Sequence, residues 1–443
     1  MELAEKLFEY SQHIRKTKIG SWSEDVKMRI ADYIFVAYSA RNAPPVKIAK
    51  KVLLPSIGKH NSHIYFTNEL APVEASIFIN GTMGRYQDYN DTYLSKEAMH
   101  PSDNITAVLA IADYLGSKGV EIIKAVYLAY QIACSFADAF SIRARGWDHV
   151  NYISISSAAA MSYLLGLNRQ QFVNAISLAI NNNISMRQTR AGRLSMWKAC
   201  TVGYAMRDSA FATLMAKSGL TGPSPIFEGE MGFFNQISGK LSPNLYPDKI
   251  KKTMIKEFPV EYHATSAVEA ALSLRNKISG EILSIDIDTY KAAYEIITKG
   301  PEKLRPANKE TADHSLPYIV AYTLLYGAPT TNSYSINFLK DKKILSLIDM
   351  TSVRVSKDFD KLYPRLTPVK ITVKIKNHVF SETVKVQKGS PIKPFKWDDI
   401  LTKGTAIIGS KTKAEKIISL VKSLEKNQAK DIFELIKNVD TKR

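Results

Sequence analysis

The chain has 443 residues, enough for two domains or for one large domain carrying an insertion. Hydrophobic residues make up 45% and charged residues 23%, which allows a sizeable core and excludes a fibrous or disordered chain. The formal charge of +18 admits nucleic acid or small polyanions as partners, but the lysines are scattered and no helix-turn-helix, zinc-finger or RNA-binding signature occurs, which disfavours nucleic acid.

MELAEKLFEYSQHIRK, at the N-terminus, alternates charged with apolar residues and lacks the apolar centre of a signal peptide. No apolar run is read as a membrane span, so a cytoplasmic protein without a membrane partner is expected. Ser21-Trp22-Ser23-Glu24 has the pattern of a capping box before a helix carrying Val26, Ile30, Tyr33, Ile34 and Ala37. GRYQDYNDTYLSKEAMHPSDN, residues 84–104, then breaks all periodicity. It is followed by NITAVLAIADYLG, apolar nearly all round until Gly116 and therefore a buried helix. EIIKAVYLAYQIACSFADAF, SSAAAMSYLLGL, FVNAISLAI and ACTVGYAMRDSAFATLMAKSG continue the helical pattern, with small residues that permit close packing. After about residue 280 the texture changes to short β-branched alternations, in IDIDTYKAAYEIIT, TSVRVSKDF, VKITVKIKN and HVFSETVKV, around a helical TADHSLPYIVAYTLLYG. Helical periodicity returns from Trp397. The expected fold is mainly α: a large all-helical domain (1–268), an inserted smaller α+β lid domain (269–394), and C-terminal helices (395–443) that return to the helical domain. A cleft between two such domains is where a small ligand binds.

Polar residues gather at a few places. His100-Pro101-Ser102-Asp103 stands before the buried helix, where free backbone N–H groups favour anions, with Asp88 and Thr92 shortly upstream. His100 there is either a proton-transfer group or a residue of a helix start. His149, in GWDHVNYIS, has the same two readings. MRQTRAGRLSMWKAC brings together Arg187, Arg190, Arg193 and Lys198, guanidinium forks suited to carboxylates and an ammonium suited to an anion or a proton. Lys256, Glu261 and His263 fall at the domain boundary, where Thr265 or Ser266 is suited to cap the next helix. Asp313-His314 precedes a helix and reads as its cap. No metal-ligand spacing, dinucleotide fingerprint or Walker loop occurs, so neither metal nor organic cofactor is expected. Cys134 and Cys200 are too few to hold an iron–sulfur cluster. The pattern suits proton chemistry on a small polycarboxylate.

DYNDT with HPSDN, GWDHVNYISISSA, NAISLAI with MRQTRAG and SMWKA, MAKSGLTGP, and FPVEYHATSAVEAA occur in this order, and together they resemble the MmgE/PrpD family over nearly the whole chain. The resemblance implies a helical domain with an α+β lid, a homodimer, and no metal or organic cofactor. It implicates Asp88, Thr92, His100, His149, Lys198 and Lys256. The roles expected are His149 or Lys198 as base, His100 as acid oriented by Asp88, and Thr92, Arg187, Arg190, Lys256 and His263 as substrate-binding residues. Asn90, in place of an acid, and the order Glu261-Tyr262-His263 favour a dehydratase over the decarboxylases of the family, with a decarboxylase or an epimerase of the family as the alternative. The activity implied is dehydration of a hydroxy-tricarboxylate, 2-methylcitrate to 2-methylaconitate.

Overall fold

The computed structural model describes residues 1–54, 61–192, 194–240, 242–246 and 248–439. Its first part is built from α1 (Leu3–Lys16), α2 (Trp22–Ser39), α3 (Pro44–Leu53), α4 (Val73–Tyr86), α5 (Asn104–Leu115), α6 (Gly119–Ala139), α7 (Val150–Leu164), α8 (Arg169–Asn181) and α9 (Trp197–Lys217). A short antiparallel hairpin of β1 (Asn61–His63) and β2 (Leu70–Pro72) lies between α3 and α4. After α10 (Thr265–Arg275) comes a four-stranded sheet of β3 (Ile282–Thr289), β4 (Thr351–Val355), β5 (Val369–Ile375) and β6 (Val379–Val384), in the order β4-β3-β5-β6. The β3–β4 pair is parallel and the other two pairs are antiparallel. Ile285 and Ile287 stand opposite Val373 and Ile371 and are fully buried, so alternation along each strand sets the register. The fold is mainly α with a smaller α+β region.

Buried apolar side chains form two clusters. The first unites α1–α9 with Ile400, Ile417 and Phe433 of the C-terminal helices. The second begins at Phe258 and joins α10, the sheet and the helix Leu316–Tyr326. Gly404 lets the helix Trp397–Ile408 lie against α2, because a Cβ there would sit 2.6 Å from the ring of Phe35.

Three local expectations are corrected. Ser21 is helical and makes no side-chain cap; Glu24 pairs instead with Lys27 at 2.6 Å. Neither Thr265 nor Ser266 caps α10, whose preceding 3₁₀ turn is capped by Glu261 accepting from the His263 N–H. α6 is, after all, long and apolar enough to cross a membrane, although 89% of its apolar window is buried inside the protein. Its apolar faces are covered by other helices, as in a soluble core.

Helices α4 and α9 pack backbone to backbone at Gly203. A Cβ on Gly203 would lie 2.7 Å from the Phe78 carbonyl oxygen and 3.3 Å from its Cα, both backbone atoms that cannot swing away. Gly203→Ala must therefore push α4 from α9. A loss of about 1–3 kcal/mol is expected, the usual cost of overpacking, read as a lower urea midpoint at unchanged m-value.

Candidate active site

A cavity of about 310 Å³ opens between residues of the two clusters, within the range of small-ligand sites. Asp88 forms part of its floor. Helix α4 ends at Tyr86, and two residues later Asp88 takes a left-handed backbone, φ 49, which turns its side chain inward. Asparagine and aspartate tolerate this conformation better than other residues with a Cβ. The carboxylate is buried and ringed by cations: Arg85 donates to Oδ1 at 2.5 Å, Lys256 to Oδ1 at 3.1 Å and Lys198 to Oδ2 at 3.3 Å. Burial alone would raise its pKa, but Arg85, Lys198 and Lys256 outweigh burial and hold it well below the carboxylate range.

Four of the eight histidines face this cavity: His100, His149, His263 and His314. His100 Nδ1 lies 2.7 Å from the Asp91 carbonyl, a pure acceptor, so that nitrogen carries the hydrogen. Its Nε2 then accepts from Arg85 at 2.8 Å. Burial first, then the Arg85 charge, push His100 well below the ordinary imidazole value. Asp88 is 3.8 Å away, so the groups that orient His100 are Asp91 and Arg85 and not, as expected, Asp88. His149 points Nδ1 at Asp148 Oδ1, 3.0 Å away though poorly aligned for a hydrogen bond, and Nε2 has no partner among the described residues. Burial, with Arg190 and Arg85 nearby, lowers it to about 4. Asp148 is fixed in turn by Arg190 Nε at 2.8 Å.

Asp313 and His314 belong to the site and are not a helix cap. Ser315 caps the helix Leu316–Tyr326, accepting from Tyr318 N. That leaves His314 Nδ1 2.6 Å from Asp313 Oδ1, and Nε2 3.4 Å from Asp88 Oδ2. Burial and Lys198 hold His314 at about 4. Lys198 reaches Asp88, Asp313 at 3.5 Å and His314 at 3.3 Å, and burial lowers it to about 8. Sequence reasoning passed over the pair because a polar dipeptide before a helix is so often a cap.

The remaining expected residues divide into wall and foundation. Thr92, Arg187, Arg190 and His263 line the cavity, His263 with Nδ1 2.5 Å from the Tyr290 hydroxyl. Lys198 and Lys256 lie beneath the lining; Lys256 spends its ammonium on the Asp88 carbonyl (2.7 Å), Asp88 Oδ1 and the Val260 carbonyl. Arg193 falls outside the described residues. The helix start at His100-Pro101 is not free for an anion, because Asp91 Oδ1 already accepts from Ser102 N at 2.9 Å. Arg85 and Arg143, which also line the cavity, carried no spacing signal in sequence, apart from the i,i+3 relation of Arg85 to Asp88. One trio among the described residues, Asp88, Asp313 and His314, has the proximity of a metal site. Its carboxylate oxygens are already engaged by Arg85, Lys256, Lys198 and Lys309, so a divalent ion would have to displace fixed ammonium groups.

Fold and site together define a mainly α protein with a cavity lined by arginines and by histidines held below the ordinary imidazole value. The MmgE/PrpD N-terminal domain matches residues 5–245 and the MmgE/PrpD C-terminal domain matches 258–426; the chain belongs to the MmgE/PrpD family. It is 33% identical over 303 residues to 2-methylcitrate dehydratase of Escherichia coli (strain K12), covering 63% of this chain and 62% of that protein. To mitochondrial 2-methylcitrate dehydratase of Yarrowia lipolytica it is 31% identical over 320 residues, 67% of this chain and 61% of that one. To a fungal alkylcitrate dehydratase it is 29% identical over 313 residues, 62% and 61%. The chain thus spans about six-tenths of the length of the curated relatives it matches.

The histidines make stability depend on pH. His149 and His314 titrate near 4 when folded and near 6.5 when unfolded, so the unfolded chain binds more protons between those values. Stability is complete above about pH 6.5 and is lost as pH falls toward 4, by up to about 1.4 kcal/mol per pH unit for each group. Urea midpoints measured from pH 7 to 4 should fall accordingly, and His149→Gln with His314→Gln should flatten the decline.

Proposed function

We propose that this protein is a hydro-lyase that dehydrates a hydroxy-tricarboxylate, converting 2-methylcitrate to 2-methylaconitate, and that it works as a homodimer with the α+β region as a lid. The observation that carries the reading is a cavity walled by Arg85, Arg143, Arg187 and Arg190 whose histidines are nevertheless neutral. Arginines bind carboxylates; a neutral imidazole keeps a lone pair for a proton. The names of the relatives support the same reading.

Dehydration needs one group to take a proton from the carbon beside a carboxylate and another to protonate the departing hydroxyl. His149 Nε2 is the base: Asp148 Oδ1 lies 3.0 Å from Nδ1 on the far side of the ring, and no group among the described residues is hydrogen-bonded to Nε2. The electron pair of the broken C–H bond forms the double bond, and guanidinium groups stabilise the charge that develops on the neighbouring carboxylate. His100 is the acid. Burial, with Arg85 and Lys256, keeps His100 neutral in the empty site; an incoming trianion offsets those charges and draws the Arg85 guanidinium away from Nε2, so the ring takes up a proton there with the substrate and gives it to the hydroxyl, which leaves as water.

Purified protein incubated with 2-methylcitrate, citrate, cis-aconitate and iminodisuccinate, with products read by NMR, tests the assignment. 2-Methylaconitate from 2-methylcitrate is expected. Carbon dioxide released from cis-aconitate, or epimerisation of iminodisuccinate in its place, would refute dehydration. Turnover should survive exhaustive chelation, because Lys and Arg supply the charge stabilisation.

His100→Asn and His149→Asn should each lower kcat by about 10²–10⁴-fold, the usual contribution of a general acid or base. Calorimetry in buffers of different ionisation enthalpy separates them. Proton uptake on substrate binding should vanish in His100→Asn and persist in His149→Asn; the reverse result would exchange the two roles.

A further inference from the structure

Behind the cavity floor, Lys403 extends from the C-terminal helix Trp397–Ile408 into the protein, where it is 6% exposed. Its ammonium donates to the Lys256 carbonyl at 2.9 Å and to the Tyr89 carbonyl at 3.1 Å, and lies 3.8 Å from the centre of the Tyr89 ring. Asp32 Oδ1 of α2, 2.6 Å away, balances its charge. Lys403 does not line the substrate cavity. The two carbonyls it holds are nonetheless those on which the cavity floor depends. Tyr89 follows Asp88, one of two non-glycine residues with positive φ among the described residues. Lys256 extends its own ammonium to the carbonyl and carboxylate of Asp88. One buried cation therefore ties together both main-chain segments that present the Asp88 carboxylate to Arg85 and Lys198.

We propose that Lys403 is a positioning residue for the reaction: its hydrogen bonds to the Tyr89 and Lys256 carbonyls hold Asp88 in the left-handed conformation that aims its carboxylate at Lys198 and Arg85. The inference rests on the proposed dehydration for its kinetic readout only. A left-handed aspartate is intrinsically disfavoured and persists where the surroundings over-determine it. Among those surroundings Lys403 is the contribution of the C-terminal helices, which otherwise stand apart from the chemistry. Held this way, the floor is pre-organised before substrate arrives, which is where misplacement by an ångström is felt in rate.

Removing Lys403 alone would leave Asp32 buried and unpaired, so the test uses paired changes that take both charges away. Asp32→Asn with Lys403→Met keeps the apolar stem and loses the donor. Asp32→Asn with Lys403→Gln keeps a neutral donor. The methionine pair should lose kcat by about 10²-fold with KM little changed, and the glutamine pair should recover most of that loss. Equal kcat in the two pairs, or parental kcat in the methionine pair, would overturn the proposal. A crystal structure of the methionine pair supplies a readout that needs no substrate: Asp88 should leave positive φ, and its persistence there would overturn the assignment even if the wild type dehydrates none of the acids tried. Should the methionine pair fail to fold, the glutamine pair decides: with a neutral donor left to both carbonyls, its crystal structure should keep Asp88 at positive φ and its kcat should stay within about tenfold of the parent, and loss of either would overturn the proposal.

Discussion

A carboxylate taken wholly out of water must be surrounded by cations or surrender its charge, and Asp88 is the carboxylate around which this protein is arranged. Arg85 reaches it from the last turn of α4, Lys198 from the first turn of α9, Lys256 from an irregular segment, and His314 from the second cluster. These residues are far apart in sequence, so the network forms only when both hydrophobic clusters have packed. Breaking any one pair would strand a buried charge, which is far costlier than losing a surface salt bridge.

The network is unbalanced by design of its parts. Asp88 and Asp313 face Arg85, Lys198, Lys256 and Lys309, and the wall above adds Arg143, Arg187, Arg190, Lys299 and Lys303 against Glu97, Glu261, Glu295 and Glu302. Surplus positive charge in a desolvated place has two consequences. It attracts a polyanion, and it drives protons off the imidazoles before the polyanion arrives. A cavity that was merely apolar would also keep its histidines neutral but would not draw in an anion. One balanced by more acids would hold neither the anion nor the lone pairs. Burial lowers Lys198 to about 8 although two carboxylates support its charge, with smaller contributions from Arg85 and Lys309.

Periodicity made the helices readable, since α5 is buried on every side and the sequence from Asn104 is apolar on every side. The sheet was equally plain in alternations such as VKITVKI, where inward residues are buried and outward ones are not. Site residues that stand in irregular segments, Asp88, Thr92, His100 and Lys256, were legible as polar groups out of place. What the letters could not carry was depth and partner. Lys256 looked like a residue reaching for substrate, yet it lies under the floor because the chain at Phe258 turns into the second core. Arg85 closes an apolar helix and Asp313-His314 opens another, positions at which capping is the commoner explanation. Their roles depend on which distant segment packs opposite, and no local pattern encodes that.

The irregular stretch between α4 and α5 is the physical counterpart of this. A helix there would hold Asp88 and His100 about 18 Å apart along its axis. An extended strand would put all three on one face but hold Asp88 and His100 about 40 Å apart. The left-handed turn at Asp88 redirects the chain instead. Thr92 is then pinned by two backbone bonds to Met254, at 2.9 and 2.7 Å, and Asn90 and Asp91 are tied to Ser102 at 3.0 and 2.9 Å. The Thr92 N–H and carbonyl and the Ser102 N–H are backbone groups that a regular element would have satisfied within itself. Its side chains thereby replace the hydrogen-bond ladder that the segment forgoes. The segment is irregular in φ and ψ yet fixed at both ends, and this combination lets three polar side chains, from positions up to twelve residues apart, converge on one cavity.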